Sequence, residues 1–246
     1  MKACDAWLVI PAYNEAATIR VVVEKALPYV DRLVVVNDGS TDATGQILAE
    51  LPVTLLSHET NRGKAASLWH GLTHAVSRGA ERVLTLDGDD QHEPADIPAL
   101  LEASEHHPDR LIVGSRFHDP SVIPEGRRRS NRVANFWIGW ASGQPIEDSQ
   151  SGFRVYPAEL IRRARVATDP SRSFVFESEI IIEAARLGFA YQPVPIRVSY
   201  RPGARPSHFK PVMDIVHITR MVAGRLAQRG FDPIGLWRSL RGARRA

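Results

Sequence analysis

A single cysteine, Cys4, stands in 246 residues. No internal disulfide can form, so nothing in the chain calls for an oxidising compartment. Long apolar runs are missing as well: no stretch approaches the roughly 18 residues a membrane-spanning helix requires. The apolar run in MKACDAWLVIPAYNE is too short, and too soon broken by Pro11, to be a signal peptide. A cytoplasmic protein is the expectation. The glycine-rich nucleotide motifs are also absent. No two glycines lie two positions apart, which excludes G-x-G-x-x-G, and no G-x-x-x-x-G-K-[ST] occurs. What is present is ordinary globular composition, 43 % hydrophobic and 24 % charged, at a length that fits one large domain or one domain with a small appendage.

The net charge of +3 conceals an asymmetry. Residues 197–246 hold eleven Arg or Lys against Asp214 and Asp232, whereas the remainder carries 20 basic and 26 acidic residues. A basic tail behind a slightly acidic body meets something anionic. Aromatic residues are sparse in that tail and no nucleic-acid motif is present, so nucleic acid is not the expected partner.

Over the first 116 residues, short β-branched runs alternate with helical spacing. The runs are Trp7–Ile10, Leu33–Val36, Val53–Leu56, Val83–Leu86 and Leu111–Val113. A helix is predicted from Ala65, Leu68, Trp69, Leu72, Ala75 and Val76, closed by Gly79. Such alternation predicts a doubly wound α/β fold, with a mostly parallel sheet covered on both faces. Beyond residue 116 the pattern changes. Residues 117–135 are rich in Pro, Arg and Asn, with a basic knot at Arg127–Arg129 and Arg132. A helix is expected over Glu177–Leu187, stopped by Gly188, and another over 211–228. The division that follows is one domain over 1–210 and a basic amphipathic extension over 211–246.

In open α/β sheets ligands sit beyond the carboxyl ends of the strands. Four exits here are polar: PAYNE (11–15), NDGSTD (37–42), DGDDQH (87–92) and GSR (114–116). Each alone also fits a solvated turn or helix cap. Asp87 and Asp89 around Gly88 suit a hard cation such as Mg²⁺ or Mn²⁺, which takes oxygen ligands and shares them with substrate phosphates. Gly88 would let a phosphate or sugar approach, and Gln91 offers a further oxygen. His92 matches these ions less well and reads as a supporting residue. Asp38 could accept from a base edge, with Tyr13 and Glu15 on base or ribose. Arg62-Gly63-Lys64 adds positive charge at a helix start. His70, His74, His106 and His107 read as surface residues.

PAYNE, VNDGSTD, NRGK (61–64), the DGD of 87–89 with Gln91, GSR and QSGFR (150–154) occur in this order, and the set resembles family 2 glycosyltransferases with a GT-A fold. Within them it is similar to the polyprenyl-phosphate sugar synthases typified by dolichyl-phosphate mannose synthase, over roughly residues 7–210. The resemblance implies a nucleoside pocket of Pro11, Tyr13, Glu15, Val36 and Asp38, with Lys64 facing the nucleotide. It implies that Asp87, Gly88, Asp89 and Gln91 hold diphosphate and metal (Asp87, Asp89 and Gln91 as ligands). Arg128, Arg129 and Arg132 would bind an acceptor phosphate, and Arg201 of YRPG would lie near the donor diphosphate. Relatives often carry a lysine in the segment that here reads SFVFES (173–178), and this chain has none.

Those parts imply an inverting transfer from GDP-mannose or a UDP-hexose to a polyprenyl phosphate, aided by Mg²⁺ or Mn²⁺. A phosphate acceptor is already ionised and needs arginines to place it. A hydroxyl acceptor needs a base, for which Asp148 is the candidate. The amphipathic tail, with Arg220, Arg225 and Arg229, could lie on an anionic membrane surface at the inner face of the cell membrane, where each basic residue contributes about 1 kcal/mol. It could equally pack on the domain. Two rivals remain: a sugar-nucleotide pyrophosphorylase, which should carry a glycine-rich basic loop where PAYNE stands, and a catalytically silent relative that only binds nucleotide sugar or membrane.

Overall fold

The computed structural model describes residues 6–118, 123, 125–166, 176–198, 211–228 and 230–243. Its strands are β1 (Ala6–Ala12), β2 (Arg32–Asp38), β3 (Thr54–His58), β4 (Arg82–Thr85), β5 (Arg110–Ser115), β6 (Arg154–Pro157) and β7 (Ala190–Pro195). They form one sheet in the order β3-β2-β1-β4-β6-β5-β7. All five predicted runs are strands. The ladder extends further than their apolar cores: Pro11 pairs with Val36 and Ala12 with Asn37, so two of the polar exits begin inside the sheet.

The sheet is parallel except for β6, which runs antiparallel between β4 and β5. This reversal is not visible in the hydrophobic pattern, because a four-residue buried strand reads alike in either direction. Its consequence is functional. The segment entering β6, QSGF, arrives at the same sheet edge from which β1, β2, β4 and β5 leave.

The helices are α1 (Ile19–Ala26), α2 (Thr44–Ala49), α3 (Lys64–Ser77), α4 (Ile97–His106), α5 (Glu125–Ser142), α6 (Ala158–Arg163), α7 (Phe176–Arg186), α8 (Pro211–Gln228) and α9 (Pro233–Ala243). Successive strand residues point to opposite faces. Trp7, Val9, Val34 and Val36 enter one core with Leu72 of α3, Ile138 of α5, Leu160 of α6, Ile180 of α7 and Met221 of α8. Leu8, Ile10, Leu33 and Val35 enter the other with Val22 of α1 and Leu100 of α4. Both faces are covered, which is why the strands read as continuous apolar runs.

Gly79 and Gly188 close α3 and α7 with φ of +93° and +92°. The arginine-rich stretch, by contrast, is helical from Glu125 onward, since long unbranched arginines are good helix formers whatever their charge. Helix α9 follows α8 and packs on α5: Trp140 Nε1 donates to the Asp232 carbonyl at 3.0 Å and Ser239 Oγ to the Phe136 carbonyl at 2.7 Å. The buried apolar residues of α8, Met221, Val222 and Leu226, face the body of the protein, and Arg225 lies 3.8 Å from both Glu179 and Glu183.

Candidate active site

Three strand exits are bound into one body. Asn14 adopts φ +55°, and its side-chain oxygen accepts from the backbone N–H of Thr41 at 2.7 Å and of Asp42 at 3.3 Å. Its own N–H donates to Ser40 Oγ at 3.0 Å. Thr18 Oγ1 donates to the Gly88 carbonyl at 2.7 Å, which ties the PAYNE loop to the acidic loop. At Gly39, with φ +66°, a Cβ would fall 2.5 Å from the Thr60 carbonyl carbon, so the exit of β2 passes against the turn after β3 only because no side chain is there.

Asp38 is buried and its oxygens are already engaged. One accepts from His58 Nδ1 at 2.7 Å and from the Arg62 N–H at 2.9 Å, and the other from the Gly63 N–H at 2.8 Å. The anion held by the turn entering α3 is thus the protein's own carboxylate, and Asp38 shapes the NRGK turn instead of presenting a free edge to a base. Val36 is likewise corrected: its side chain is fully buried in the core, leaving only backbone to face a ligand. Pro11, Tyr13 and Glu15 are half-exposed at the exit of β1. His70 is exposed but hydrogen-bonds His58 at 3.0 Å. His106 is exposed, whereas His74 and His107 are half-buried.

The acidic loop follows β4. Lys64 Nζ, at the start of α3, lies 2.8 Å from Asp87 and 2.9 Å from Glu177, the second residue of α7. Burial alone would favour the neutral amine, but the two carboxylates outweigh it and hold the ammonium above the usual lysine value. Burial would raise Asp87; Lys64, with His92 and Arg154 adding to it, holds it below its usual value instead. Asp89 goes the other way. Burial and then the Asp87 charge push it up to about 6, against the backbone N–H of Gln91, which donates to it at 3.1 Å.

Gln91 therefore touches Asp89 through its backbone. The residue also lines a pocket of about 170 Å³ with Lys25, Asp90, His92, Glu93 and Arg197. Gly88 also differs from expectation: the position of its missing Cβ is closed by Ile19 at 3.3 Å, the Pro11 carbonyl at 3.5 Å and Glu15 at 3.6 Å. Its glycine serves contact between loops, not the approach of a phosphate from that side. His92 is buried, its Nδ1 has no hydrogen-bond partner among the described residues, and burial pushes it down to about 4, so the ring is neutral.

Asp148 is fully buried. Arg116 binds it through Nε at 2.7 Å, Nη2 at 2.8 Å and its backbone N–H at 3.2 Å. Burial opposes ionisation there, but Arg116 overrides it and keeps the carboxyl below its usual value. A weak, enclosed carboxylate of this kind is a poor general base. The basic knot divides along α5. Arg129 is exposed and pairs with Glu125 at 2.5 Å. Arg128 and Arg132 fall at i and i+4 on the face that ends in Asn135, with Arg128 half-buried and Arg132 exposed. Asn135 is buried, and its side-chain oxygen accepts from the Ser149 N–H at 2.9 Å, one residue past Asp148. Arg201 lies outside the described residues.

Several participants escape a reading of the sequence. Glu177 belongs to SFVFES, the segment noted only for lacking a lysine. Arg154 is completely buried and donates to the carbonyls of Ser149, Ser151 and Glu177 at 2.7–2.9 Å, which sets the loop beneath Asp87. A Cβ on Gly152 would meet the Asp87 carboxylate at 2.5–2.9 Å. The only legible signal was that QSGFR stands as a motif. A larger concavity of about 800 Å³, lined by Arg162, Arg163, Arg165, Arg186, Arg225 and Glu183, contains none of the strand-exit carboxylates.

The residues suit a divalent ion. Asp89 is held near 6 by burial and by the neighbouring Asp87 charge, which a cation would offset, and the ammonium of Lys64 already occupies one side of Asp87. Among the described residues no three carboxylate, imidazole or thiolate groups gather as a closed metal cage. A divalent ion held by Asp87 and Asp89 would therefore need substrate phosphates and water to complete its ligands.

Comparison with known proteins agrees with this geometry. The model of the family described as "Glycosyl transferase family 2" matches residues 7–167. The chain is 30 % identical over 217 residues to a UDP-N-acetylglucosamine–dolichyl-phosphate N-acetylglucosaminyltransferase of Methanococcus voltae, covering 79 % of this chain and 85 % of that one. It is 28 % identical over 206 residues to the polyprenol monophosphomannose synthase of Mycolicibacterium smegmatis, covering 79 % and 77 %. In fold it is similar to glucosyl-3-phosphoglycerate synthase of Mycobacterium tuberculosis, solved with Mn²⁺, UDP and glucosyl-3-phosphoglycerate, at a TM-score of 0.64 and 20 % identity over 93 % of this chain and 80 % of that one. The chain therefore belongs to glycosyl transferase family 2: it is a glycosyltransferase with a GT-A fold, similar to the polyprenyl-phosphate sugar transferases.

Proposed function

We propose that the protein transfers a hexose from a nucleoside diphosphate sugar to a polyprenyl phosphate. One observation carries the choice of acceptor: Asp148, the candidate base for a hydroxyl, is enclosed and clamped by Arg116. A phosphate oxygen is already an anion and needs no base. In the proposed step that oxygen attacks the anomeric carbon, and the bond from that carbon to the diphosphate oxygen breaks. The electron pair leaves with the nucleoside diphosphate, and no proton has to move.

The chain's residues have matching tasks. Tyr13, Glu15 and the backbone at Pro11 and Val36 border the nucleoside, with Asp38 fixing the NRGK turn from below. Lys64 offers its ammonium to the diphosphate, poised by Asp87 and Glu177. Arg128 and Arg132 place the acceptor phosphate, and Arg129 adds to the positive field around it. Asp87 and Asp89 would hold Mg²⁺ or Mn²⁺, with Gln91 steadying Asp89; such an ion neutralises charge on the departing diphosphate. Arg201 is proposed near that diphosphate by its place in YRPG. The relatives named for dolichyl- and polyprenyl-phosphate chemistry support this acceptor, and an acceptor of that kind supports work at a membrane surface.

The test is direct. Incubating the protein with GDP-mannose, UDP-glucose or UDP-N-acetylglucosamine, Mn²⁺ and a prenyl phosphate should release nucleoside diphosphate and form a glycolipid. Asp89→Ala should abolish both. Release that required a hydroxyl acceptor, or that survived the Asp89 substitution, would refute the proposal.

A further inference from the structure

Amphipathic helices usually bury their apolar side, and α8 does so with Met221, Val222 and Leu226. Helix α9 does the reverse. Gly235 and Ser239 face α5, where Ser239 bonds the Phe136 carbonyl, while Ile234, Trp237 and Leu240 point outward. These three recur at i, i+3 and i+6 and form a stripe. Phe231 before α9, and Val133 and Trp137 on the adjoining face of α5, extend it. All six large apolar side chains are 42–61 % exposed. Trp137 stacks on Trp140 at 5.6 Å, and Trp140 meets Phe231 at 6.3 Å, so the two helices present one patch.

We infer that this patch, and not the apolar side of α8, is the surface by which the protein rests on an anionic phospholipid bilayer. The inference builds on the proposed lipid acceptor and names where the enzyme meets the acceptor's membrane. Three observations favour a bilayer over a protein partner or a second copy. Residues 229–246 contain five arginines and one aspartate, a surplus that anionic headgroups take up but that a protein interface core excludes. Two of the six exposed residues are tryptophans, whose rings favour the headgroup layer. Finally, the Asp232 carbonyl just before α9 accepts from Trp140 Nε1 and Ser239 bonds the Phe136 carbonyl, so α9 runs antiparallel to α5 and heads toward its arginine-bearing first turns. A membrane held along the stripe would put lipid phosphates level with Arg128 and Arg132.

Flotation of the full chain with vesicles separates the outcomes. Binding to phosphatidylcholine–phosphatidylglycerol vesicles is expected, weaker binding to phosphatidylcholine alone, and quenching of tryptophan emission by brominated acyl chains. Ile234→Asp, at the most exposed site of the stripe, should cut partitioning roughly tenfold or more, because a charge there must leave water. The triple change I234S/W237S/L240S should cut it at least as far. Both variants should keep the wild-type far-UV spectrum and the thermal shift with nucleoside diphosphate and Mn²⁺. Equal partitioning of wild type and variants would overturn the inference, as would no vesicle binding at all, or a dimer that Ile234→Asp dissociates. Transfer to a short, water-soluble prenyl phosphate reports on the acceptor separately. Transfer without vesicle binding refutes the surface alone. Stripe-dependent vesicle binding without transfer supports the surface and refutes the acceptor.

Discussion

Asp89 is the residue whose protonation answers most directly to a ligand. Its carboxyl sits at about 6, above the ordinary value near 4, because burial and Asp87 both disfavour its charge. Between those two values the folded protein binds more protons than the unfolded chain. Through Asp89, stability therefore falls as pH rises from about 4 to about 6. A divalent ion reverses the preference, so its binding should weaken as pH falls through about 6 and should release a proton there. Titration calorimetry of Mn²⁺ with nucleoside diphosphate, in two buffers of different ionisation enthalpy, measures that proton, and Asp89→Asn should remove it. Gly152 offers a second test at this scale. A methyl there overlaps the Asp87 carboxylate at 2.5–2.9 Å, so Gly152→Ala must displace either the loop or the carboxylate. Activity should drop at least tenfold while the melting temperature moves by only a few degrees.

Among the elements, the decisive junction joins the exit of β5 to the loop before β6. Arg116 leaves β5 and grips Asp148, Tyr191 Oη from β7 accepts the Asp148 N–H at 3.0 Å, and Asn135 of α5 holds Ser149. Asp148→Asn would remove the buried carboxylate that Arg116 grips through Nε and Nη2, at a cost of about 3–5 kcal/mol. A fall in melting temperature is expected even without substrate; an unchanged melting temperature with lost activity would instead restore Asp148 as a base. The sign with pH is opposite to that of Asp89. The Asp148 carboxyl is held below its usual value, so its contribution is present above about 4 and is lost as pH falls through its lower folded value. The wild type should therefore lose stability in acid more steeply than Asp148→Asn.

For the molecule as a whole, the C-terminal helices close the larger core. Met221, Val222 and Leu226 of α8 are buried with residues of α5, α6 and α7. Ending the chain after Lys210 would uncover that core and the side of α5 that Ser239 caps. Removing three well-buried side chains of this size costs several kcal/mol, since each contributes about 1.5–3 kcal/mol. The truncated chain should melt at least 10 °C lower and aggregate on warming, in scanning fluorimetry beside the full chain. A mere surface appendage would leave the transition in place.

The first five strands, the helices ended by Gly79 and Gly188, and the gathering of PAYNE, NDGSTD and DGD at one edge were determined by the sequence alone. Parallel strands buried on both faces must be apolar throughout, and polar residues can then appear only where those strands end. Only the tertiary structure decided the direction of β6, the clamping of Asp148 by Arg116, the inward turn of Asp38 and Val36, and the arrival of Glu177 and Gly152 beside Lys64 and Asp87. These depend on contacts between residues 20 to 113 positions apart, and no local period encodes such contacts. The outward face of α9 belongs with them, because its stripe reads like a core until α5 is seen to take the opposite side.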